Sequence, residues 1–154
     1  MKKCLSVFVS ALLALSLAGC GGQDAPRPFD PESDAQALTE AQGVFSAPMT
    51  AIDSDVACAL YGINEDTVTG CAAYGATATS AEELALFTFD SEDSAQAAVK
   101  LLQTRITDRT EELENYLPDE LPKLEKARVE QRGATALLLV CADYDAAGAC
   151  LDGE

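Results

Sequence analysis

Apolar positions along this chain follow two periods, and the changes from one to the other mark its elements. From about residue 32, Ala35, Leu38, Ala41 and Phe45 recur at helical spacing, with Glu32, Ser33 and Asp34 ahead of them to cap or charge the start. A second helix is marked by Val56, Ala59, Leu60 and Ile63 at i, i+3, i+4, i+7. Ser54 can cap it, and Gly62 can take the left-handed position after its last turn with Ile63 closing behind. Then the period shortens. Val68, Ala72 and Tyr74 alternate loosely with small or polar residues, which predicts a strand over 67–74 near a sheet edge and a loop over Gly75 to Ser80. The run Leu84-Ala85-Leu86-Phe87-Thr88-Phe89 is apolar on both alternating faces, as a central strand covered on both sides requires.

Ser91 caps the longest predicted helix, with Glu92 and Asp93 in its first turn, where the macrodipole favours negative charge. Ala95, Val99, Leu102, Ile106 and Leu113 form its apolar stripe, and Pro118 ends it by Leu117. A hairpin follows, with Arg128-Val129-Glu130 as one arm, Arg132-Gly133 as the turn and Thr135 to Cys141 as a second, doubly apolar arm. The order ααββαββ predicts an α+β domain: about four antiparallel strands, one long helix laid across them and two shorter N-terminal helices.

Ahead of this domain, assigned to 32–154, the pattern is of another kind. Met1-Lys2-Lys3 is basic, Leu5 to Leu17 is apolar but for three serines, and Leu17-Ala18-Gly19-Cys20 closes the run with small residues. That is the layout of a secretory signal peptide over 1–19, and the apolar run is shorter than the roughly 20 residues of a membrane span. The last four residues resemble the lipobox of bacterial lipoproteins, which implies a diacylglyceryl group on the Cys20 thiol and cleavage just before it. Paired acyl chains anchor stably where one chain binds marginally. The expected location is therefore the outer face of the cytoplasmic membrane. Residues 20–31, with three prolines, two glycines and no period, are expected to form an extended tether reaching on the order of 30 Å.

Charge narrows the partners. The full chain carries a net charge of −16, and loss of Lys2 and Lys3 with the leader takes it to −18. Such a surface repels nucleic acid and anionic headgroups, so membrane attachment falls to the acyl chains, and the charge serves either as a solvated acidic surface with no partner, the commoner case, or as a site for a cationic partner. Chemistry narrows the function further. There is no histidine, which removes Ser-His-Asp and Cys-His machinery, imidazole acid/base work and His-bearing zinc sites. Nor is there a GxSxG, SxxK, GxxxxGK[ST] or CxxC motif, and no cofactor or metal is assigned. Carboxylate pairs such as Glu82 with Glu83 and Asp53 with Asp55 keep glycosidase-type hydrolysis open, although on a strand Glu82 and Glu83 would face opposite ways. Asp53-Ser54-Asp55 and Asp143-Tyr144-Asp145 offer alternating oxygens for calcium, but neither continues into an EF-hand loop.

Two groups of residues remain. Cys58, Cys71, Cys141 and Cys150 outside the cytoplasm are candidates for two disulfides, with buried thiols and a four-cysteine metal site as alternatives. The local pairing, Cys58 with Cys71 and Cys141 with Cys150, needs the least topology. Glu111, Glu112, Glu114, Asp119 and Glu120 gather at the C-terminal end of the long helix, where the macrodipole disfavours them. They form either a solvated face or a docking patch for a basic partner.

A lipoprotein leader, the Leu60-Tyr61-Gly62-Ile63 helix end, Ala81-Glu82-Glu83-Leu84-Ala85-Leu86-Phe87 opening a strand, a long charged helix ending in Tyr116-Leu117-Pro118, and a late hairpin occur in this order. In this the chain resembles a family of Firmicutes lipoproteins known as domain of unknown function 4358. The resemblance spans roughly residues 35–145, most specifically 81–89 and 116–118. It implies a Gram-positive origin and a domain of this size, and carries no activity. The expected function is a non-catalytic, lipid-anchored extracytoplasmic module that binds a protein or small ligand. A small carboxylate-dependent hydrolase and a purely structural envelope protein are the alternatives.

Overall fold

The two doubly apolar segments form the middle of an antiparallel sheet. A computed structural model describes residues 25–152 of the chain; the leader, Cys20 and the first part of the tether lie outside the described residues. β3 (Glu83–Phe89) and β5 (Thr135–Val140) pair with Ala85 opposite Leu138 and Phe87 opposite Ala136. β2 (Val68–Gly75) lies outside β3 and β4 (Arg128–Arg132) outside β5, while β1 (Thr50–Ile52) closes the far edge, giving the order β1-β2-β3-β5-β4. The sheet thus has five strands, not about four, and β2 lies one strand in from the edge. Three residues, two of them exposed, leave no readable period in β1.

Side chains alternate across the sheet, so each central strand feeds two cores. Ala85, Phe87, Phe89, Ala136, Leu138 and Val140 enter one of them. Leu84, Leu86, Leu137 and Leu139 enter the other. The first face is covered by α2 (Ser54–Tyr61) and α3 (Glu92–Leu113), and the second by α1 (Pro31–Glu40) and α5 (Tyr144–Asp152). The α+β class with its long helix across the sheet stands, and helices cover both faces of the sheet. α5 begins where Asp143 Oδ1 accepts the N–H groups of Asp145 and Ala146, and it buries Ala147 and Leu151. Its short, alanine-rich sequence gave no helical stripe.

In α3 the Ser91 cap forms as expected, its Oγ accepting the Ser94 N–H at 3.2 Å, and Ala95, Ala98, Leu102 and Leu113 are buried with Val99 and Ile106 packed beside them. A short helix, α4 (Leu121–Glu125), follows it. α2 is rotated from the expected face. Ala57, Cys58 and Tyr61 point inward, leaving Val56 53% and Leu60 43% exposed. The Tyr61 ring decides this rotation, since it packs edge-on against Phe87 with centroids 5.8 Å apart. The helix end is as expected: Gly62 has φ +68°, and the Ile63 N–H reaches the Cys58 carbonyl at 2.9 Å. α1 stops at Glu40, so Phe45 meets the core from a loop rather than a helix.

The expected tether is part of the fold at its C-terminal end. Phe29 is buried beneath the Arg132 guanidinium, 4.2 Å from the ring centroid, and its N–H donates to Thr135 Oγ1 at 3.0 Å. Asp30 caps α1 by accepting from Glu32 and Ser33, and Arg27 pairs with buried Asp34 at 2.6 Å. The folded unit therefore starts ahead of residue 32. On β4, Arg128, Glu130 and Arg132 carry a ladder of charge: Glu130 accepts from Arg128 at 2.8 Å and from Arg132 at 2.7 Å, and Asp152 of α5 joins Arg132.

Candidate functional site

Helices α1 and α5 leave the β1–β2 rim of their face uncovered. The result is an open cleft of about 560 Å³, with α1 as one wall and β1 and β2 as the floor. Ala35 and Leu38 turn α1 toward the core, which places Glu32, Gln36, Thr39 and Glu40 on the side that overlooks the cleft. Ala51, Ala72 and Tyr74 supply an apolar and aromatic floor, and among the described residues no lysine or arginine lines it. The volume falls within the range of small-ligand sites. Its two carboxylates suit a cation. Their backbones stand eight residues apart on α1, about 12 Å of helical rise. Gln36 Nε2 also donates to Glu40 Oε1 at 2.9 Å.

A second concentration of charge lies at the end of β3, and it is closed. The Glu82 carboxylate accepts from the Ser46 N–H at 3.0 Å, the Ser46 hydroxyl at 2.7 Å and the Ala47 N–H at 2.9 Å, with Lys123 Nζ at 3.1 Å. Burial would raise this carboxyl, but those hydrogen bonds outweigh it and hold the group below the usual carboxylate range. Lys123 is opposed in the same way: burial would lower it, and its bonds to Glu120 and Glu82 hold it above its ordinary value. Although Lys123 lies 3.1 Å from the Ser46 hydroxyl, a lysine held protonated cannot take the serine's proton. The knot ties the 44–47 loop and α4 to the sheet.

On the opposite face Glu83 receives both Nε and Nη2 of Arg105, at 3.1 and 3.2 Å. Beside them the buried Tyr61 hydroxyl has no hydrogen-bond partner among the described residues. Burial, followed by the neighbouring Glu83 charge, pushes its pKa well above the ordinary value.

A family model described as Domain of unknown function (DUF4358) matches residues 42–141, more than half of the chain. The chain belongs to this family. Comparison with curated proteins and with solved structures finds no match. The DUF4358 match begins after α1 and ends with Cys141, just before α5. It therefore takes in the whole sheet, α2, α3 and the Glu82 knot, while the α1 wall of the cleft lies outside it.

Within the DUF4358 span the structure sorts the residues singled out by sequence. Glu111, Glu112, Glu114 and Asp119 are exposed, with Glu112 paired to Arg109 at 2.7 Å and Tyr116 68% exposed among them. Glu120 leaves this group. It turns inward to accept from the Ala81 N–H at 2.8 Å, the Ser80 hydroxyl and Lys123, so the five acids do not form one patch. Asp53-Ser54-Asp55 and Asp143-Tyr144-Asp145 are helix starts, and no metal-binding group of three or more His, Cys, Asp or Glu occurs among the described residues. Cys58, Cys71, Cys141 and Cys150 are free thiols in the structure, and Cys20 lies outside the described residues. Glu32, Gln36, Thr39 and Glu40 were not singled out as a site by sequence. Their signal was the polar side of α1, which any solvated helix also shows.

Proposed function

We propose that this chain is a non-catalytic extracytoplasmic binding module, held at the outer face of the cytoplasmic membrane by acyl chains on Cys20, with its ligand in the cleft between α1 and the β1–β2 rim. The observation that carries this reading is the cleft itself: a concavity of about 560 Å³ whose charged lining residues are all acidic. The ligand it suits is a cationic small molecule or a basic peptide segment with an apolar part to lie on Ala72 and Tyr74. Two facts weigh against catalysis. Glu32 and Glu40 stand about two turns apart on α1, and the buried Glu82 and Glu83 are held by Lys123 and Arg105.

A photoreactive side chain at Gln36, inside the cleft, tests the reading in intact cells against the same group at exposed Asp108 on α3. Adducts from position 36 alone, competed away by excess cationic ligand, are expected. Equal adducts from both positions would reject the cleft as the site. Adducts from neither would favour the structural envelope protein.

A further inference from the structure

Cys58 and Tyr61, three residues apart, share the inward side of α2, where both are buried. The Tyr61 ring rests on Phe87 of β3, and Phe87 is paired directly with Cys71 of β2. In β2, Cys71 points the same way as Ala73, toward the core that α2 covers. These contacts place Cys58 above β2 beside Cys71. Helix α2 packs on β2, and Cys58 and Cys71 share the same core, Cys58 within it and Cys71 packed against it. The other two cysteines have different surroundings. Cys141 follows the end of β5, where the Tyr144 hydroxyl caps its N–H, whereas Cys150 lies two turns along α5, its Sγ toward the Ala37 carbonyl of α1.

We propose that Cys58 and Cys71 form an intramolecular disulfide that fastens α2 to β2, while Cys141 and Cys150 remain thiols. The oxidant is a second disulfide, supplied as a small molecule or by an exported dithiol oxidase. Cys71 is half-buried and Cys58 buried, so Cys71 reacts first. Its thiolate attacks one sulfur of the oxidant, forming a mixed disulfide and releasing one thiol. The Cys58 thiolate then attacks the Cys71 sulfur and expels the second thiol. Two protons leave the cysteines, and the two electrons reduce the oxidant to its two thiols. Burial raises the pKa of both cysteines, so closure quickens as the solution is made alkaline. This inference does not depend on what the cleft binds.

The test uses the full chain with Cys4→Ser and Cys20→Ser, so that four thiols remain, reduced, equilibrated with glutathione disulfide at mildly alkaline pH and quenched with acid. Loss of two hydrogens is expected, with two thiols still open to alkylation after denaturation. A protease specific for glutamate cuts after Glu65, between the two cysteines, and the halves should stay linked until reductant is added. Oxidation should also raise the unfolding midpoint by roughly 5–10 °C, from the shorter loop left to the unfolded chain. The double variant Cys141→Ser, Cys150→Ser should close the same link at the same rate. Four alkylated cysteines, stable glutathione adducts, or a link involving Cys141 or Cys150 would each overturn the proposal. Should Cys58→Ser or Cys71→Ser fail to fold, the double variant still decides, because it keeps both proposed partners.

Discussion

Glu82 and Glu83 are neighbours in sequence and belong to opposite sides of the sheet: the first binds the Ser46 and Ala47 backbone with Lys123, the second binds Arg105 of α3. One dipeptide therefore pins both layers to β3. Glu82→Ala would leave two N–H groups and a partly buried ammonium without this partner, and should lower unfolding stability by about 3 kcal/mol. Glu83→Ala should cost less, about 1–2 kcal/mol, because Glu83 accepts from the Arg105 side chain and its loss strands no backbone N–H. Urea unfolding of the two variants measures the difference, and equal losses would contradict this account.

Acid should erase the Glu82 contribution. Its folded pKa lies below the ordinary 4.5, so the stabilisation is present above about pH 4.5 and disappears as pH falls through the folded value. Lys123 has the opposite sign: its folded pKa lies above 10.5, so its part is complete below that value and is lost as pH rises through the folded pKa. The stability gap between wild type and Glu82→Gln should be widest from about pH 5 to 10 and shrink beyond both ends. A gap that grows on acidification would exclude the proposed balance.

Phe29→Ala should lower stability by about 3–4 kcal/mol, as expected for a buried aromatic residue. If Phe29 fastens the chain ahead of α1, limited proteolysis of the variant should cut between residues 27 and 31, where the wild type resists. A tether without contacts would give no change in either measurement.

Neutralising Glu32 and Glu40 with glutamine should reduce adducts from the Gln36 crosslinking position several-fold at low salt, with the difference narrowing as salt screens the cleft. Neutralising Glu111, Glu112, Glu114 and Asp119 should leave the yield unchanged. The reverse result would move the docking surface to the end of α3. Separately, Cys20→Ala should abolish incorporation of labelled fatty acid and leave an uncleaved precursor, and label retained at wild-type levels would end the lipoprotein proposal.

Much of this fold was legible because burial on two sides leaves a strong mark. Leu84 to Phe89 and Leu137 to Val140 have few polar positions to confuse their period, and both became central strands. The Gly62 ending of α2 was equally readable, since its positive φ favours glycine. The facing of α2 was not. Val56 and Leu60 looked like core by spacing, and only the long-range contact between Tyr61 and Phe87 turns them outward. Glu120 was grouped with the acids around it by sequence, but its partners Ser80 and Ala81 come from the loop before β3. The cleft was hidden for a similar reason: it exists only where α1 passes β1 and β2, and β1 is too short to announce itself.

The charge ladder on β4 bears on how densely such molecules can be crowded together. An outermost strand ordinarily offers its backbone to any strand that arrives, and closely spaced copies meet often. Here an incoming strand would have to settle beside Arg128, Glu130 and Arg132 and strip water from charges already matched to one another and to Asp152. The opposite rim offers three residues of β1, too few to start a fibril. Both margins are poor templates, so the fold tolerates crowding without growing sideways into its neighbours.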